Sequence, residues 1–366
     1  MSQLFIKNVS KTYNQDIVAV NDFCLNIKNK QLISVIGPKN SGKSTLIRII
    51  AGLENSTFGD IYIDGINLKS IPLKDRQVVM MSKNYTLYPD MTVFDNMAFS
   101  LTLKGISKKN INNRIEIISH ILGINNILNK KPEFLTSLQK AKVALGKLAV
   151  KNPKIFLLDA PLDNMPQNNK KILKADILNL FRYLNATFIY VSSDPEDPLQ
   201  TSNKVVIIKD GTVQQFGTPY KIYKYPKNIF VSRFIGLPQI NLFKAVLIKE
   251  HNEYFINLFK YKIKIPKHKI TPLTKAFIDK DVIVGIRPED VNLQPNYNKG
   301  ETMQASVDLI EQTTNGICTY LVLDNLPLIS FSSIPHNYKS EDLINISFNN
   351  ENIILFDNDT EIRITI

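Results

Sequence analysis

The stretch Gly37-Pro38-Lys39-Asn40-Ser41-Gly42-Lys43-Ser44 is the strongest fold signal in this sequence of 366 residues. It matches the pattern G-x-x-x-x-G-K-[S/T], a glycine-rich loop whose backbone N–H groups surround nucleotide phosphates. The apolar run at 31–36 before it is typical of a strand, and residues 44–51 after it are typical of a helix. This strand, loop and helix context is the one that the pattern requires. We therefore expect a nucleotide-binding domain.

The loop and a distant carboxylate predict a nucleotide site with a metal. Lys43 would add positive charge at the outer phosphates, next to the N–H donors of the helix N-terminus. Ser44 offers a hydroxyl oxygen to Mg²⁺, and Asp159, at the end of a predicted apolar strand, offers the carboxylate that the metal also needs. The predicted nucleotide-binding residues of this loop are Gly37, Pro38, Lys39, Asn40, Ser41, Gly42, Lys43, Ser44 and Thr45.

The chain up to residue 236 alternates strands and helices. Strand-like segments occur at 4–9, 18–27, 31–36, 61–63, 78–81, 155–158, 188–191 and 204–208. Residues 90–150 have helical periodicity, clearest at 111–122, and a further helix is predicted at 170–184. Alternating strands and helices indicate a mostly parallel sheet covered on both faces. We predict an α/β domain at 1–236 with an all-helical subdomain at about 90–150.

The pattern changes after Pro238, where short alternating strands follow one another without helices between them. They are predicted at 243–248, 282–286, 306–310, 317–323 and 353–356. We interpret residues 237–366 as a separate small β-barrel domain.

Composition narrows the function classes. The formal charge is +12, but the basic residues are scattered, which favours solvated lysines over a nucleic-acid surface. The two cysteines, Cys24 and Cys318, lack the spacing of a metal site and fit a reducing compartment. No apolar run approaches the length needed to cross a bilayer, so we expect any membrane association to go through a partner.

Beyond the phosphate loop, the sequence resembles the ATPase subunit of ABC importers for sugars and glycerol phosphate along nearly its whole length. The matching stretches are Ala51-Gly52-Leu53-Glu54, Asn84-Tyr85, Leu87-Tyr88-Pro89, Met91-Thr92-Val93, Val143-Ala144-Leu145-Gly146, Leu157-Leu158-Asp159, Asp210-Gly211, Gln214-Gln215, Gly217-Thr218-Pro219, Phe230, Phe234-Ile235-Gly236, Gly285-Ile286-Arg287-Pro288-Glu289-Asp290 and Leu355-Phe356-Asp357.

The resemblance implies a P-loop NTPase of the ABC type followed by an oligonucleotide-binding-like barrel, used for regulation and dimer contacts and not for nucleic acid. It implies ATP and Mg²⁺ as cofactors, and Tyr13 as the aromatic residue that stacks on adenine. It also implies transmembrane permease subunits, a second ATPase subunit and, indirectly, an external substrate-binding protein as partners. The expected location is cytoplasmic, peripheral on the inner face of the membrane, with Tyr85 to Met91 and the helical block facing the permease.

Three family positions that act in catalysis hold different residues here. Ala160 stands where the family has the glutamate that activates the attacking water, and alanine cannot polarise water. Ser193 stands where the family has the switch histidine that contacts the γ-phosphate, and its hydroxyl can donate one hydrogen bond. Lys83 stands where the family has the glutamine that ligands Mg²⁺, and its ammonium group has no acceptor and cannot coordinate a cation. We expect Lys83 to neutralise phosphate charge instead.

The signature loop also departs from the family. Where the family has Leu-Ser-Gly-Gly-Gln, this chain has Leu135, Thr136, Ser137, Leu138 and Gln139. Side chains therefore replace the glycines that let the backbone of the family's loop approach the γ-phosphate of the opposite subunit. Pro166 stands where the family has an acid, and Asn40 within the phosphate loop is tolerable because Asn adopts the left-handed conformation more readily than most residues. Departures at separate positions within an intact framework predict a retained fold with lost hydrolysis.

Three hypotheses follow. The first is a working ATPase that energises import, and the second is a pseudo-ATPase that binds ATP and acts beside a competent homologue. The third is a basic nucleic-acid-associated protein, which the scattered lysines and the lack of an aromatic and basic strand motif disfavour. We expect the second.

Overall fold

The computed structural model describes residues 4–14, 16–163, 165–195, 201–294 and 302–365. The chain forms two compact units, Met1–Pro219 and Tyr220–Ile366. Within the described residues, no helix combines the length and the apolar character needed to cross a bilayer.

The first unit contains the predicted, mostly parallel sheet. Its six strands lie in the order β10-β9-β3-β8-β7-β6, and only β10 is antiparallel to its neighbour. All residues of the central strands β3, β7 and β8 are buried, because helices or a second sheet cover both faces. The strands are β3 (Leu32–Ile36), β6 (Val78–Met81), β7 (Ile155–Asp159), β8 (Thr187–Ser192), β9 (Lys204–Lys209) and β10 (Thr212–Gly217).

A four-stranded antiparallel sheet belongs to the same unit, in the order β2-β1-β4-β5. Its apolar side chains join those of the helix after the phosphate loop and of the parallel sheet in one buried core. The strands are β1 (Leu4–Tyr13), β2 (Ile17–Ile27), β4 (Phe58–Ile63) and β5 (Ile66–Asn67), and the helix is α1 (Lys43–Ala51).

The middle block is helical, as predicted. In α3 (Lys108–Leu122) the buried residues Ile111, Ile115, Ile118 and Leu122 recur every three or four positions and face the core. This core also takes in α2 (Val93–Thr102), α4 (Ser137–Ala149) and α5 (Gln167–Leu184), which cover one face of the parallel sheet.

The second unit consists mainly of two five-stranded antiparallel sheets around one apolar core. The sheet orders are β13-β12-β11-β14-β20 and β15-β19-β16-β17-β18. The strands are β11 (Asn241–Glu250), β12 (Glu253–Leu258), β13 (Tyr261–Ile265), β14 (Lys280–Ile286), β15 (Val291–Gln294), β16 (Met303–Thr313), β17 (Gly316–Leu323), β18 (Leu326–Ser332), β19 (Leu343–Phe348) and β20 (Ile354–Asp357).

Short helices α6 (Pro219–Lys224) and α7 (Ile229–Phe234) precede these sheets, and α8 (Pro272–Lys275) lies between β13 and β14. Arg287, directly after β14, contacts both of the helices that precede the sheets. Its guanidinium donates hydrogen bonds to the carbonyl oxygens of Ser232 at 3.0 Å, Ile235 at 2.6 Å and Tyr223 at 2.9 Å. These bonds attach both helices to the sheets.

Replacing Arg287 by Ala should lower the stability of the second unit by about 2 kcal/mol, because buried carbonyl groups would lose a charged donor. Arg287 is only 3% exposed, so water cannot readily take its place. Urea denaturation followed by tyrosine fluorescence would measure the loss. Arg287→Lys should lose less, because an ammonium group still donates to some of the carbonyls. Equal stability of Arg287→Ala and the unmodified chain would contradict this role.

Candidate nucleotide site

The phosphate loop joins the end of β3 to the start of α1, as predicted from the sequence. Gly42 caps α1 with φ 91°, a left-handed conformation that favours glycine. A Cβ atom at this position would lie 1.9 Å from the carbonyl oxygen of Ala19, so no other residue fits. Asn40 also has a positive φ, 62°, in line with the tolerance expected of asparagine. The turn directs the first backbone N–H groups of α1 toward the loop.

Lys43 is the central cation of the loop. Its side chain is 5% exposed, and its Nζ donates to the carbonyl oxygens of Gly37 at 2.9 Å and Pro38 at 2.5 Å and to Ser41 Oγ at 3.1 Å. Burial lowers the pKa of Lys43 to about 8, against the opposing charges of Asp159 and Asp163. Near neutral pH the ammonium form prevails, so the loop offers a positive charge to an anion.

Ser44 and Asp159 come together, as the sequence predicted. Ser44 Oγ, in the first turn of α1, donates to Asp159 Oδ1, at the end of β7, across 2.9 Å. A hydroxyl and a carboxylate are oxygen ligands suited to Mg²⁺, which usually keeps water and phosphate oxygens as its other ligands. These two residues would hold the ion, which would neutralise charge on the phosphates.

Ala160 and Ser193 follow the ends of neighbouring parallel strands. The register of β7 and β8 pairs Asp159 with Val191, and the Ala160 N–H donates to the Val191 carbonyl oxygen at 3.1 Å. Ala160 has φ 49° and Ser193 is partly exposed. The strand ends therefore present a methyl group and a hydroxyl group, neither of which can act as a general base at neutral pH.

Lys83 forms an ion pair that the sequence did not predict. Its Nζ lies 3.0 Å from Asp163 Oδ2, and the two side chains are 47% and 32% exposed. Asp163 is also close enough to Lys43 to affect its pKa. Eighty positions separate the two partners, and no local pattern marks such a pairing. Lys83 therefore lies beside the phosphate loop, and Asp163 partly balances its charge. The next residue after Asp163, Asn164, is outside the described residues.

Tyr13 lies at the end of β1, beside the first turns of α1. Its hydroxyl donates to Glu54 Oε2, and Lys11 Nζ lies 5.0 Å from the ring centroid. Burial and the Glu54 carboxylate raise the pKa of Tyr13, while a side-chain hydrogen bond with Thr45 lowers it. The ring is thus held next to the helix that begins at the phosphate loop. Its stacking on adenine stays a prediction.

Comparison with known proteins identifies the family. Residues 20–163 match the ABC transporter family, and residues 236–291 match the MalK OB fold domain. The oligosaccharides import ATP-binding protein MsmX of Bacillus subtilis is 37% identical to this chain, and the match covers 100% of both. The chain belongs to the ABC transporter family. The multiple sugar-binding transport ATP-binding protein MsmK of Streptococcus mutans is 34% identical, again over 100% of both chains.

A solved structure agrees with this assignment. The ATP-binding cassette MJ0796, in a dimeric post-hydrolysis state bound to ADP and Pi, is 26% identical with a TM-score of 0.53. The match covers 59% of this chain and 98% of that one. The fold and the resemblance predicted from the sequence are confirmed.

The predicted signature segment, residues 135–139, forms the N-terminus of α4. Thr136 is the N-cap, its hydroxyl accepting from the Gln139 N–H at 3.2 Å, while Gln139 Oε1 accepts from the Thr136 N–H at 3.0 Å. Leu138 is partly buried against the helical core, and Ser137 is exposed. Among the described residues, no hydrogen bond or ion pair joins segment 135–139 to the phosphate loop. Thr136 and Gln139 thus stabilise the start of α4. Of the two side chains that replace the family's glycines, that of Ser137 is more exposed than that of Leu138.

Replacing Lys83 by Gln should make ATP binding several-fold more dependent on Mg²⁺, because an amide oxygen can ligand the ion and an ammonium cannot. Stability should change by less than about 1 kcal/mol, since the ion pair with Asp163 is partly exposed. ATP affinity with Mg²⁺ and with EDTA would measure the effect. Lys69→Gln, which breaks an exposed pair with Asp60 elsewhere, is the matched control. An unchanged ratio of the two affinities would contradict the assignment of Lys83 to the position of the family's magnesium-ligating glutamine.

Proposed function

We propose that this chain is the ATP-binding subunit of an importer for a carbohydrate or glycerol-phosphate type substrate, and that it binds ATP with little or no hydrolysis. It acts beside a competent ATPase subunit, beneath transmembrane permease subunits, on the cytoplasmic face of the membrane. An external binding protein delivers the substrate to the permease, so this chain does not select it.

The names of the relatives support the substrate class. MsmX is named for oligosaccharide import and MsmK for multiple sugar-binding transport, and both match this chain from end to end. The match of residues 236–291 to the MalK OB fold domain extends the likeness to the second unit.

One observation carries the proposal of weak hydrolysis: Ala160 directly follows Asp159 at the end of β7, where the family has its general base. Removing a general base typically slows a reaction by roughly 10²- to 10⁴-fold. The nearby carboxylate of Asp163 is ion-paired with Lys83, so it is not a free base. The parts that would hold ATP remain: the buried Lys43 and the adjacent Ser44 and Asp159.

A competent partner follows from the way ABC subunits pair head to tail, each ATP lying between one phosphate loop and the other signature loop. In a homodimer of this chain, both sites would lack the base and the glycines of the signature. In a heterodimer, one site would combine this phosphate loop with an intact signature and bind ATP without cleaving it. The other would combine the partner's base with segment 135–139 and hydrolyse slowly. The heterodimer keeps one working site.

ATP binding and turnover by the purified chain would test this function. We expect binding of ATP with Mg²⁺ and turnover close to background, rising when an intact homologous ATPase subunit is added. Turnover by the chain alone at the rate of an ordinary transport ATPase would refute the proposal. The alternative, an active ATPase that energises import, would then apply. It is favoured by the intact Lys43, Ser44 and Asp159, with another group serving as base.

A further inference from the structure

The second unit contains a cavity of about 450 Å³ that the nucleotide chemistry does not use. Its volume lies within the roughly 300 to 1,000 Å³ typical of small-molecule sites. The walls come from α6 and the residues just after it, the turn after β13, the segments that flank β15 and β20, and Arg363 near the C-terminus. All of these belong to the second unit.

Besides Arg287, whose guanidinium donates to backbone carbonyl groups, three cations line this cavity: Lys224, Lys269 and Arg363. Lys269 is 8% exposed, and its Nζ donates to the Ile353 carbonyl oxygen at 2.9 Å. Arg363 has a buried Nη1 that has no hydrogen-bond partner among the described residues, and Lys224 Nζ lies 3.1 Å from the Tyr220 hydroxyl. Within the described part of the chain, none of the three forms an ion pair within 4 Å of a carboxylate. Their donors remain available to an anion.

Lys224 and Arg363 are close enough to Lys269 to affect its pKa. Burial lowers the pKa of Lys269, and the positive charges of Lys224 and Arg363 lower it further, against the opposing carboxylates of Glu351 and Asp290. Like charges held together in a partly buried place repel each other, and a bound anion would remove that repulsion. The cluster therefore favours a negatively charged ligand.

The carboxylates on the cavity wall already have partners of their own. Glu289 accepts from the Tyr223 hydroxyl, and Glu351 lies 3.2 Å from His268 Nε2. Asp290 Oδ1 accepts from the side-chain amides of Asn349 at 3.1 Å and Asn352 at 2.6 Å. These acids make no ion pair within 4 Å of the three cations among the described residues, and they offer acceptors for ligand hydroxyl groups.

Tyrosine rings lie beside the cations. Lys224 Nζ is 5.5 Å from the centroid of Tyr220 and 5.7 Å from that of Tyr225. Arg363 Cζ is 5.3 Å from the same Tyr225 centroid. Tyr225 thus lies beside two of the three charges. An aromatic face next to an anion site suits a ligand with a compact ring and a charged group.

We propose that this cavity binds a small phosphorylated polyhydroxy molecule of the sugar-phosphate class. Its phosphate group would lie among Lys224, Lys269 and Arg363, where charge-assisted hydrogen bonds are available. Its hydroxylated ring would pack on Tyr220 and Tyr225 and bond to the wall carboxylates. The site is separate from the phosphate loop and does not depend on ATP hydrolysis.

Isothermal titration calorimetry on the full chain would test this, with glucose 6-phosphate as the probe and glucose and inorganic phosphate as comparisons. The titration uses the Lys43→Gln variant, so that phosphate binding at the nucleotide loop does not contribute. We expect a Kd for glucose 6-phosphate below about 1 mM. Inorganic phosphate should bind about tenfold more weakly, since it lacks the ring contacts, and glucose should not bind measurably.

Two variants, each made in the Lys43→Gln background, locate the site. Lys224→Gln and Arg363→Gln should each weaken glucose 6-phosphate binding about tenfold by removing one charged partner. Lys244→Gln, an exposed change on β11 outside the cavity, is the matched control and should bind like its parent. Because Arg363 is partly buried and Lys224 is exposed, the Lys224 variant is the cleaner one, and circular dichroism checks that both fold.

Three outcomes would overturn the proposal. They are no binding of glucose 6-phosphate up to about 10 mM, binding unchanged in Lys224→Gln, and inorganic phosphate binding as tightly as the sugar phosphate. None of these outcomes bears on ATP binding, so failure here and failure of the proposed function are distinguishable.

Discussion

The double variant Ala160→Glu with Ser193→His should raise ATP turnover of the purified chain by about tenfold to a hundredfold. The glutamate would restore a general base at the end of β7, an effect typically worth roughly 10²- to 10⁴-fold. The histidine would restore a γ-phosphate contact after the neighbouring strand β8. We expect a gain in turnover at or below the lower end of that general-base effect, because the signature segment and Lys83 are unchanged and effects within one mechanism are not additive. Steady-state phosphate release would measure it.

Ala160→Gly with Ser193→His is the matched control. Ala160 has φ 49°, so glycine should relieve left-handed strain and stabilise the first unit by about 1 kcal/mol. Without a carboxylate it should leave turnover at background. If the glycine and glutamate variants turn over ATP equally, the missing base does not limit hydrolysis. ATP binding must be equal in all variants for the comparison to hold, which a titration without turnover would establish.

The architecture could be predicted because each element has a local signal. The phosphate loop lies between a fully apolar strand and a helix, and the helical block has buried residues at three-to-four spacing, as in α3. Even the pairing of Ser44 with Asp159, 115 positions apart, could be expected, because both lie at the ends of elements that a P-loop domain brings together.

The contacts that give this site its own character have no such signal. The ion pair of Lys83 with Asp163 and the contact of Tyr13 with Glu54 join residues that no periodicity or motif connects. The capping role of Thr136 follows from the Thr-x-x-Gln pattern. Because the resemblance assigns the same segment to the signature loop, no helix cap is predicted there from the sequence. Likewise, the attachment of α6 and α7 to the second unit depends on Arg287, which a composition change after Pro238 does not indicate.

Lys43→Gln should weaken ATP binding by about 10- to 100-fold, because a charge-assisted hydrogen bond to phosphate contributes roughly 1.5 to 3 kcal/mol. Lys28→Gln is the charge-matched control: Lys28 is exposed and outside the loop, so its variant should bind ATP like the unmodified chain. Titration with ATP under conditions without turnover would measure both. Equal affinities for the two variants would remove Lys43 from the phosphate site.

The pH dependence of the same interaction gives an independent test. The pKa of Lys43 is lowered to about 8 by burial, so below pH 7 the ammonium form prevails and ATP affinity should be constant. Above pH 8 the free protein loses this proton, and affinity should fall up to about tenfold per pH unit. The Lys43→Gln variant should show no such fall. The pH dependence of folding stability has the opposite sign to that of ATP affinity. The unfolded chain keeps this lysine protonated to higher pH than the folded chain, so the contribution of Lys43 to stability rises with pH above 8.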